Sequence, residues 1–291
     1  NPEQDAIDFY ESLEGMLVEL PTPTIISPYW TSGSGNNLTY NIPTRIENDG
    51  TDLISPLGGL VLKESNNLNP QRLLLAYSNP GVEVNTGDQF EQDITGVMGY
   101  NNGNFKVIPA QNALPKITPA NHTQEVTHIE PVEDKLTVAA YNILNYSPKV
   151  GEAKINKLAE SFATNLKSPD IIAVVEMQDA NGDTDDGVVE ADASQLIQAI
   201  KDKGGVEYSY VEIAPLDKQD GGQPGSNIRV GFLYNEDRVQ LAQSTTGKKG
   251  TATEAVTYNA ATDQLMHNPG LIDPTNKDLA STRKPIAAQF E

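Results

Sequence analysis

Pro169-Asp-Ile-Ile-Ala-Val-Val-Glu-Met-Gln-Asp-Ala-Asn-Gly182 starts as an apolar run and passes without a break into carboxylates and amides. Ile171 to Val175 is rich in β-branched residues and has the length of a buried strand. A strand buried along its length but finished by Glu176 needs a reason, because an unpaired carboxylate at a core edge is costly. Glu176 therefore either meets a cation or a helix N-terminus, or serves as a ligand.

The flanking sequence repeats this grammar. Leu136-Thr-Val-Ala-Ala-Tyr-Asn142 reads as a second buried strand with a polar end, and Ile228 to Tyr234 as a third. Between them, Glu152 to Leu166 sets Ile155, Leu158, Ala159 and Phe162 at helical spacing, and Ala193 to Ile200 does the same with Leu196, Ile197 and Ile200. Strand, helix, strand, helix, strand predicts a layered domain with both sheet faces covered.

Upstream, the strand-like pieces Gly15–Leu20, Gly58–Lys63, Arg72–Tyr77, Asp93–Met98 and Asn104–Ile108 alternate with Gly, Asn, Pro and Ser clusters, which predicts a β-rich domain. Pro109 to Glu133 has no period and reads as a linker, giving domains over residues 1–131 and 132–291. Its histidines, His122 and His128, read as exposed side chains. His267 sits in the loop-like Met266-His-Asn-Pro-Gly270 and lacks the context of a general base.

In 291 residues, forty Asp and Glu face twenty Lys and Arg, a formal charge of −20. This balance repels polyanions at long range, so a phosphate-bearing ligand calls for a divalent cation as mediator. The same excess also suits solubility alone. With no cysteine, disulfides, zinc–thiolate sites and thiol nucleophiles are excluded. No apolar run approaches the roughly 18 residues of a membrane span. The opening Asn1-Pro-Glu-Gln has neither Met nor leader, which reads as a start exposed by removal of preceding residues, and the expectation is a secreted protein, extracellular or periplasmic.

Numbered from Asp179, oxygen side chains at Asp179, Asn181, Asp183, Asp185 and Glu190 follow the ligand rhythm of an EF-hand calcium loop. Thr184, however, stands where the sharp turn calls for Gly, and a strand precedes the loop in place of a helix. The segment reads as a solvated turn, with a looser calcium site as the alternative. Gly221-Gly-Gln-Pro-Gly225 precedes a strand and is no Walker-type phosphate cradle.

Four segments, Val138-Ala-Ala-Tyr-Asn-Ile-Leu-Asn145, Pro169 to Gly182, Gly221 to Asn235 and Ser281-Thr-Arg-Lys-Pro-Ile286, together resemble the endonuclease/exonuclease/phosphatase superfamily, and within it the large bacterial nucleases related to deoxyribonuclease I. Phe9 to Val18 and Gly96 to Tyr100 are more loosely similar to the β-rich region that precedes such nuclease domains. The resemblance implies an α+β chain, a β-rich domain followed by part of a four-layer α/β/β/α sandwich.

It further implies that Glu176 ligates a catalytic Mg²⁺, with Ca²⁺ or Mn²⁺ as substitutes, and that Asn142 positions the metal or the scissile phosphate. Arg229 and Arg283 would approach backbone phosphates, and Asn227 and Tyr234 would bind substrate beside the same strand. The implied activity is metal-assisted phosphodiester hydrolysis of nucleic acid, with a His and Asp pair activating water. In the family those segments follow the Arg-x-Pro strand, whereas this chain stops at Phe290-Glu291, so the resemblance implies the first portion of the domain. The remaining C-terminal portion would then be its partner, and the chain alone incomplete. The alternatives are a phosphomonoesterase or lipid-phosphate phosphatase of the same fold, or a non-catalytic, calcium-stabilised binding module.

Overall fold

The computed structural model describes residues 6–46, 53–62, 69–78, 81 and 83–291. Asn1-Pro-Glu-Gln and Lys63, the last residue of the expected Gly58–Lys63 strand, lie outside the described residues. The chain is strand-rich and of mixed α+β composition, and it divides into two compact units, Asn1–Thr123 and Gln124–Glu291. Among the described residues no helix is long and apolar enough to cross a membrane.

In the first unit, one nine-stranded mixed sheet runs in the order Leu17–Leu20, Ile94–Asn101, Asn104–Pro109, Leu73–Ser78, Thr39–Arg45, Thr24–Ile25, Gln89–Phe90 and Ile117–Thr118, with Trp30–Ser32 added against Thr39–Arg45. Alternation drives it: Ile94, Gly96 and Met98 point inward while Thr95 and Val97 face out. Leu20, Ile25, Ile42, Leu75, Phe90 and Val107 are among the side chains closing the core.

The expected linker over Pro109–Glu133 is ordered differently. Ile117–Thr118 pairs with Gln89–Phe90, Ala120 N–H donates to Asp88 Oδ1 at 2.8 Å, and His122 Nε2 lies 2.9 Å from Leu57 O. Beyond the boundary, Thr127 N–H donates to Asn165 O and Asn165 Nδ2 to Glu125 O. Each half is therefore stitched to its own unit by hydrogen bonds that side-chain periodicity does not register, and the division after Thr123 falls within the expected linker.

The second unit is built on a four-stranded sheet of β1 (Val138–Tyr146), β2 (Ile171–Met177), β3 (Tyr208–Glu212) and β4 (Arg229–Asn235), in the order β1-β2-β4-β3. β1 and β2 are parallel, joined through α1 (Glu152–Glu160) and a π-turn over Ser161–Asn165, and the other pairings are antiparallel. α2 (Ser194–Asp202) follows β2. Ile155, Leu158 and Ala159 of α1 and Leu196 and Ile200 of α2 pack on Ile143, Ile172, Val174 and Leu233.

The opposite sheet face is less covered than expected. Phe290 packs on Phe232 and Tyr234 there, but Val138 is 68% exposed.

Where β1 enters the sheet, Asp170 Oδ2 accepts from Thr137 N (2.7 Å) and Thr137 Oγ1 (3.0 Å), and Arg238 Nε donates to Asp170 Oδ1 (3.1 Å). Desolvation pulls the Asp170 carboxyl up, but the Thr137 donors and Arg238 outweigh it and hold it below its ordinary value. A group depressed in the folded state stabilises the fold above its unfolded pKa, near 3.9, and that contribution is lost as pH falls through the lower folded value. Asp170→Asn should accordingly lower stability at neutral pH and flatten the stability curve below about pH 4. Urea unfolding across this range reads both effects, and an unchanged acid limb would remove Asp170 from the account.

Candidate active site at the carboxyl ends of β1 and β2

Along β2, Ile172 and Val174 face the helices and are fully buried. Strict alternation would send Glu176 into the same core and leave Met177 outside. The structure reverses the two. The β2–β4 register shifts between Val175 and Met177, Glu176 adopts φ +72°, and Met177 joins Ile172 and Val174 in the core. A non-glycine residue in the left-handed region costs on the order of 1–3 kcal/mol, and here it keeps a carboxylate out of hydrocarbon. β1 makes a matching irregularity: Leu144 and Asn145 have φ of +49° and +52°, the β1–β2 register shifts between Asn142 and Tyr146, and Tyr146 turns inward. Bulges re-aim side chains in this way beside functional sites.

The two bulges bring Asn142 and Glu176 together. Asn142 Nδ2 donates to Glu176 Oε1 at 2.9 Å, while Asn142 Oδ1 accepts from Leu144 N at 2.8 Å. Arg283 Nη1 completes the group 3.4 Å from the same Oε1. Arg283 is presented by Lys284, whose mostly buried ammonium donates to Asp220 Oδ1 (2.8 Å), Leu279 O (2.7 Å) and Thr282 O (3.0 Å). Lys154, on the first turn of α1, donates Nζ to Leu144 O. Burial lowers its ammonium pKa, and the Glu176 charge opposes that shift.

Behind this group lies a second, buried one. The Arg229 guanidinium, 3% exposed, pairs with Asp179 Oδ1 and lies 3.3 Å from Glu212 Oε1, and it donates to Asn227 O at 2.9 Å. Asn227 donates both its N–H (2.8 Å) and Nδ2 (3.0 Å) to Asp179 Oδ2. Desolvation raises the Asp179 carboxyl above its ordinary value, with Arg229 and Asn227 opposing. Tyr210 donates to Glu212 Oε2 at 2.8 Å, and burial followed by the Glu212 charge pushes its phenol well up, so it stays a donor. Gln178 couples the two groups: Nε2 donates to Asn145 Oδ1 at 2.7 Å, and Oε1 accepts from Ser226 Oγ of the glycine-rich loop.

That loop is tightly fitted. A Cβ at Gly225 would meet Asp183 O at 2.5 Å, and one at Gly221 would meet Ser281 O at 2.8 Å, both at positive φ.

Of the expected site residues, Asn142, Glu176 and Arg283 converge. Arg229 and Asn227 are brought close as well, but both are buried and engaged with Asp179. Tyr234 lies opposite Ile171, roughly 17 Å along the strand from the Glu176 end, and packs on Phe290.

The loop residues with calcium rhythm have separate partners. Asp179 is held by Arg229 and Asn227, Asp185 by Lys218, and Asn181 donates to Asp186. Asp183 lines a groove beside Lys149, and Glu190 Oε2 lies 3.4 Å from Val189 N. Among the described residues no cluster of three or more His, Asp or Glu forms a ready metal cage. His128 is exposed, and His267 Nδ1 lies 2.9 Å from Thr246 Oγ1.

Residues that sequence reasoning missed include Lys154, Glu212, Asp220, Ser226 and Lys284. Lys154 carried a signal: a cation in the first turn of a helix opposes the helix dipole.

Residues 1–119 match a protein-family profile described only as a domain of unknown function, DUF8508. No curated protein and no solved structure matches the chain.

Two stability outcomes follow from this geometry. Arg229→Met leaves Asp179 and Glu212 buried without a counter-charge and should cost about 3–5 kcal/mol in urea unfolding; a loss below about 1 kcal/mol would mean that Arg229 is not the keystone. Glu176→Gly should be more stable than Glu176→Ala by about 1 kcal/mol, because only glycine adopts φ +72° without penalty. Equal stability of the two would show that the bulge relaxes once the carboxylate is gone.

Proposed function

We propose that the second unit carries the metal-binding and phosphate-facing residues of a Mg²⁺-dependent phosphodiesterase acting on nucleic acid, on a sandwich of the deoxyribonuclease I-like type. One observation carries this reading: three side chains distant in sequence, Asn142, Glu176 and Arg283, meet at the carboxyl ends of adjacent strands through a strained backbone. The ends of parallel strands are where α/β sheets bind ligands.

The residues fit Mg²⁺. Both hydrogen bonds to Glu176 fall on Oε1, which leaves Oε2 as a hard oxygen ligand. Mg²⁺ is held through one or two carboxylates and otherwise keeps water or substrate oxygens, so a cage of several acids is not required. When bound, the ion would stabilise charge on the phosphoryl oxygens. Asn142 fixes the rotamer of Glu176, and Arg283, 35% exposed at its side chain, has donors left to orient a phosphate oxygen. Arg229, Asp179 and Asn227 hold the strand end and the loop rigid beneath them.

In the full-length protein, Glu176→Gln should reduce Mg²⁺-dependent plasmid cleavage by at least about a hundredfold while circular dichroism stays unchanged. Mn²⁺ binding followed by electron paramagnetic resonance should weaken in parallel, a readout independent of turnover. Hydrolysis of p-nitrophenyl phosphate without any action on plasmid DNA would overturn the nucleic-acid reading, and near wild-type cleavage by Glu176→Gln would remove Glu176 from the site.

A further inference from the structure

Two grooves meet at Lys154. The first, of about 500 Å³, is lined by Asn145, Lys149, Lys154, Asp183 and Gln223 among others. The second, of about 420 Å³, is lined by Tyr141, Lys154, Lys157, Glu160 and Ser161 among others. Lys154 lines both, and it lies close enough to Glu176 to feel its charge.

The lysines lining these grooves have no acid partner. Most cations of the second unit pair with a carboxylate: Lys167 with Glu130, Lys201 with Glu207, Lys203 with Glu160, Lys218 with Asp185 and Arg238 with Asp170. Among its described residues seven lysines make no ion pair, Lys135, Lys149, Lys154, Lys157, Lys248, Lys249 and Lys277, and three of these, Lys149, Lys154 and Lys157, line the two grooves. Lys149 Nζ reaches only a hydroxyl, Thr184 Oγ1 at 3.3 Å. Lys154 is held by the carbonyl of Leu144, the residue whose N–H orients Asn142. Glu160, the acid in the second groove, is matched by Lys203, which leaves Asp183 as the carboxylate facing the first.

We propose that the two grooves on either side of Lys154 together seat a phosphodiester polymer, with Lys149, Lys154 and Lys157 binding phosphates that flank the one at Glu176. This rests on the phosphodiesterase reading of that site. It explains how a chain of net charge −20 engages a polyanion: attraction is confined to a short cationic path, while the surrounding acid repels nonspecific contact. Tyr141 adds an aromatic wall to the second groove, a surface suited to a base as well as a phosphate. Lys154 is the positioning residue, tied to the Glu176 group through Leu144 and Asn142.

Binding of a short fluorescein-labelled DNA strand to the full-length protein, followed by anisotropy in EDTA across a salt series, tests this without turnover. The triple variant Lys149→Gln, Lys154→Gln, Lys157→Gln should weaken binding about tenfold or more at low salt and reduce the slope of log Kd against log salt by about 2. A charge-matched variant, Lys201→Gln, Lys203→Gln, Lys248→Gln, should leave the slope unchanged, and Lys154→Arg should restore it in the Lys154→Gln background. An unchanged slope in the first variant, or an equal change in the control, overturns the proposal. Glu176→Gln separates the two readings: a wild-type salt slope with cleavage lost supports both, whereas a lysine-dependent slope with cleavage retained leaves the polymer seat standing and overturns the role of Glu176.

Discussion

A β-strand has two faces, and a carboxylate that follows three buried apolar residues must leave the core or be neutralised within it. In β2 the solution is geometric. One residue of left-handed backbone at Glu176 swaps its face with that of Met177, so the hydrophobic side gains a methionine and the carboxyl end of the strand gains an acid. The neighbouring strand does the same at Leu144 and Asn145. Everything specific to the site depends on these paired irregularities: the Asn142–Glu176 hydrogen bond, the reach of Arg283, and the carbonyl that holds Lys154.

Strain of this kind persists only where the surroundings over-determine it. The surroundings here are the buried assembly of Arg229, Asp179, Asn227, Glu212 and Tyr210, joined to the bulges by Gln178. A buried ion pair is weak evidence for net stability, because desolvation consumes much of its attraction. Its geometric consequence is firmer, since Asp179, Glu212 and the Asn227 carbonyl all converge on one guanidinium. Arg229 thus fixes the strand end that bears Glu176, and Lys284 fixes the segment that bears Arg283.

The layered core was legible because packing writes itself into spacing. Ile155, Leu158 and Ala159, and Leu196 with Ile200, announced their helices, and Ile171 to Val175 its strand. Tyr208–Glu212 went unread because a five-residue edge strand next to Gly204-Gly205 has too few alternations to stand out. The Pro109–Glu133 segment reads as a linker because its hydrogen bonds, several of them to side chains, leave no periodic trace in the sequence.

Glu176 was visible as an acid where hydrocarbon was due, and the parity conflict between Val174 and Met177 was already in the letters. Arg229 was the opposite case: a guanidinium that suits a phosphate suits two carboxylates equally well, and only burial distinguishes them. Resemblance to deoxyribonuclease-type chains suggested roles for these residues, and the structure shows that Arg229 and Asn227 are buried against Asp179.

The ladder between β1 and β2 is interrupted where the site is built. Regular pairing covers Val138 to Asn142 against Ile171 to Val175 and resumes only at Tyr146 and Met177, so the site-bearing segments lack the continuous cross-strand bonding of the rest of the sheet. Ile143, Tyr146 and Met177 nevertheless stay buried across the gap. The backbone that presents Asn142 and Glu176 is thus released from sheet register, while the hydrophobic core beneath it stays closed.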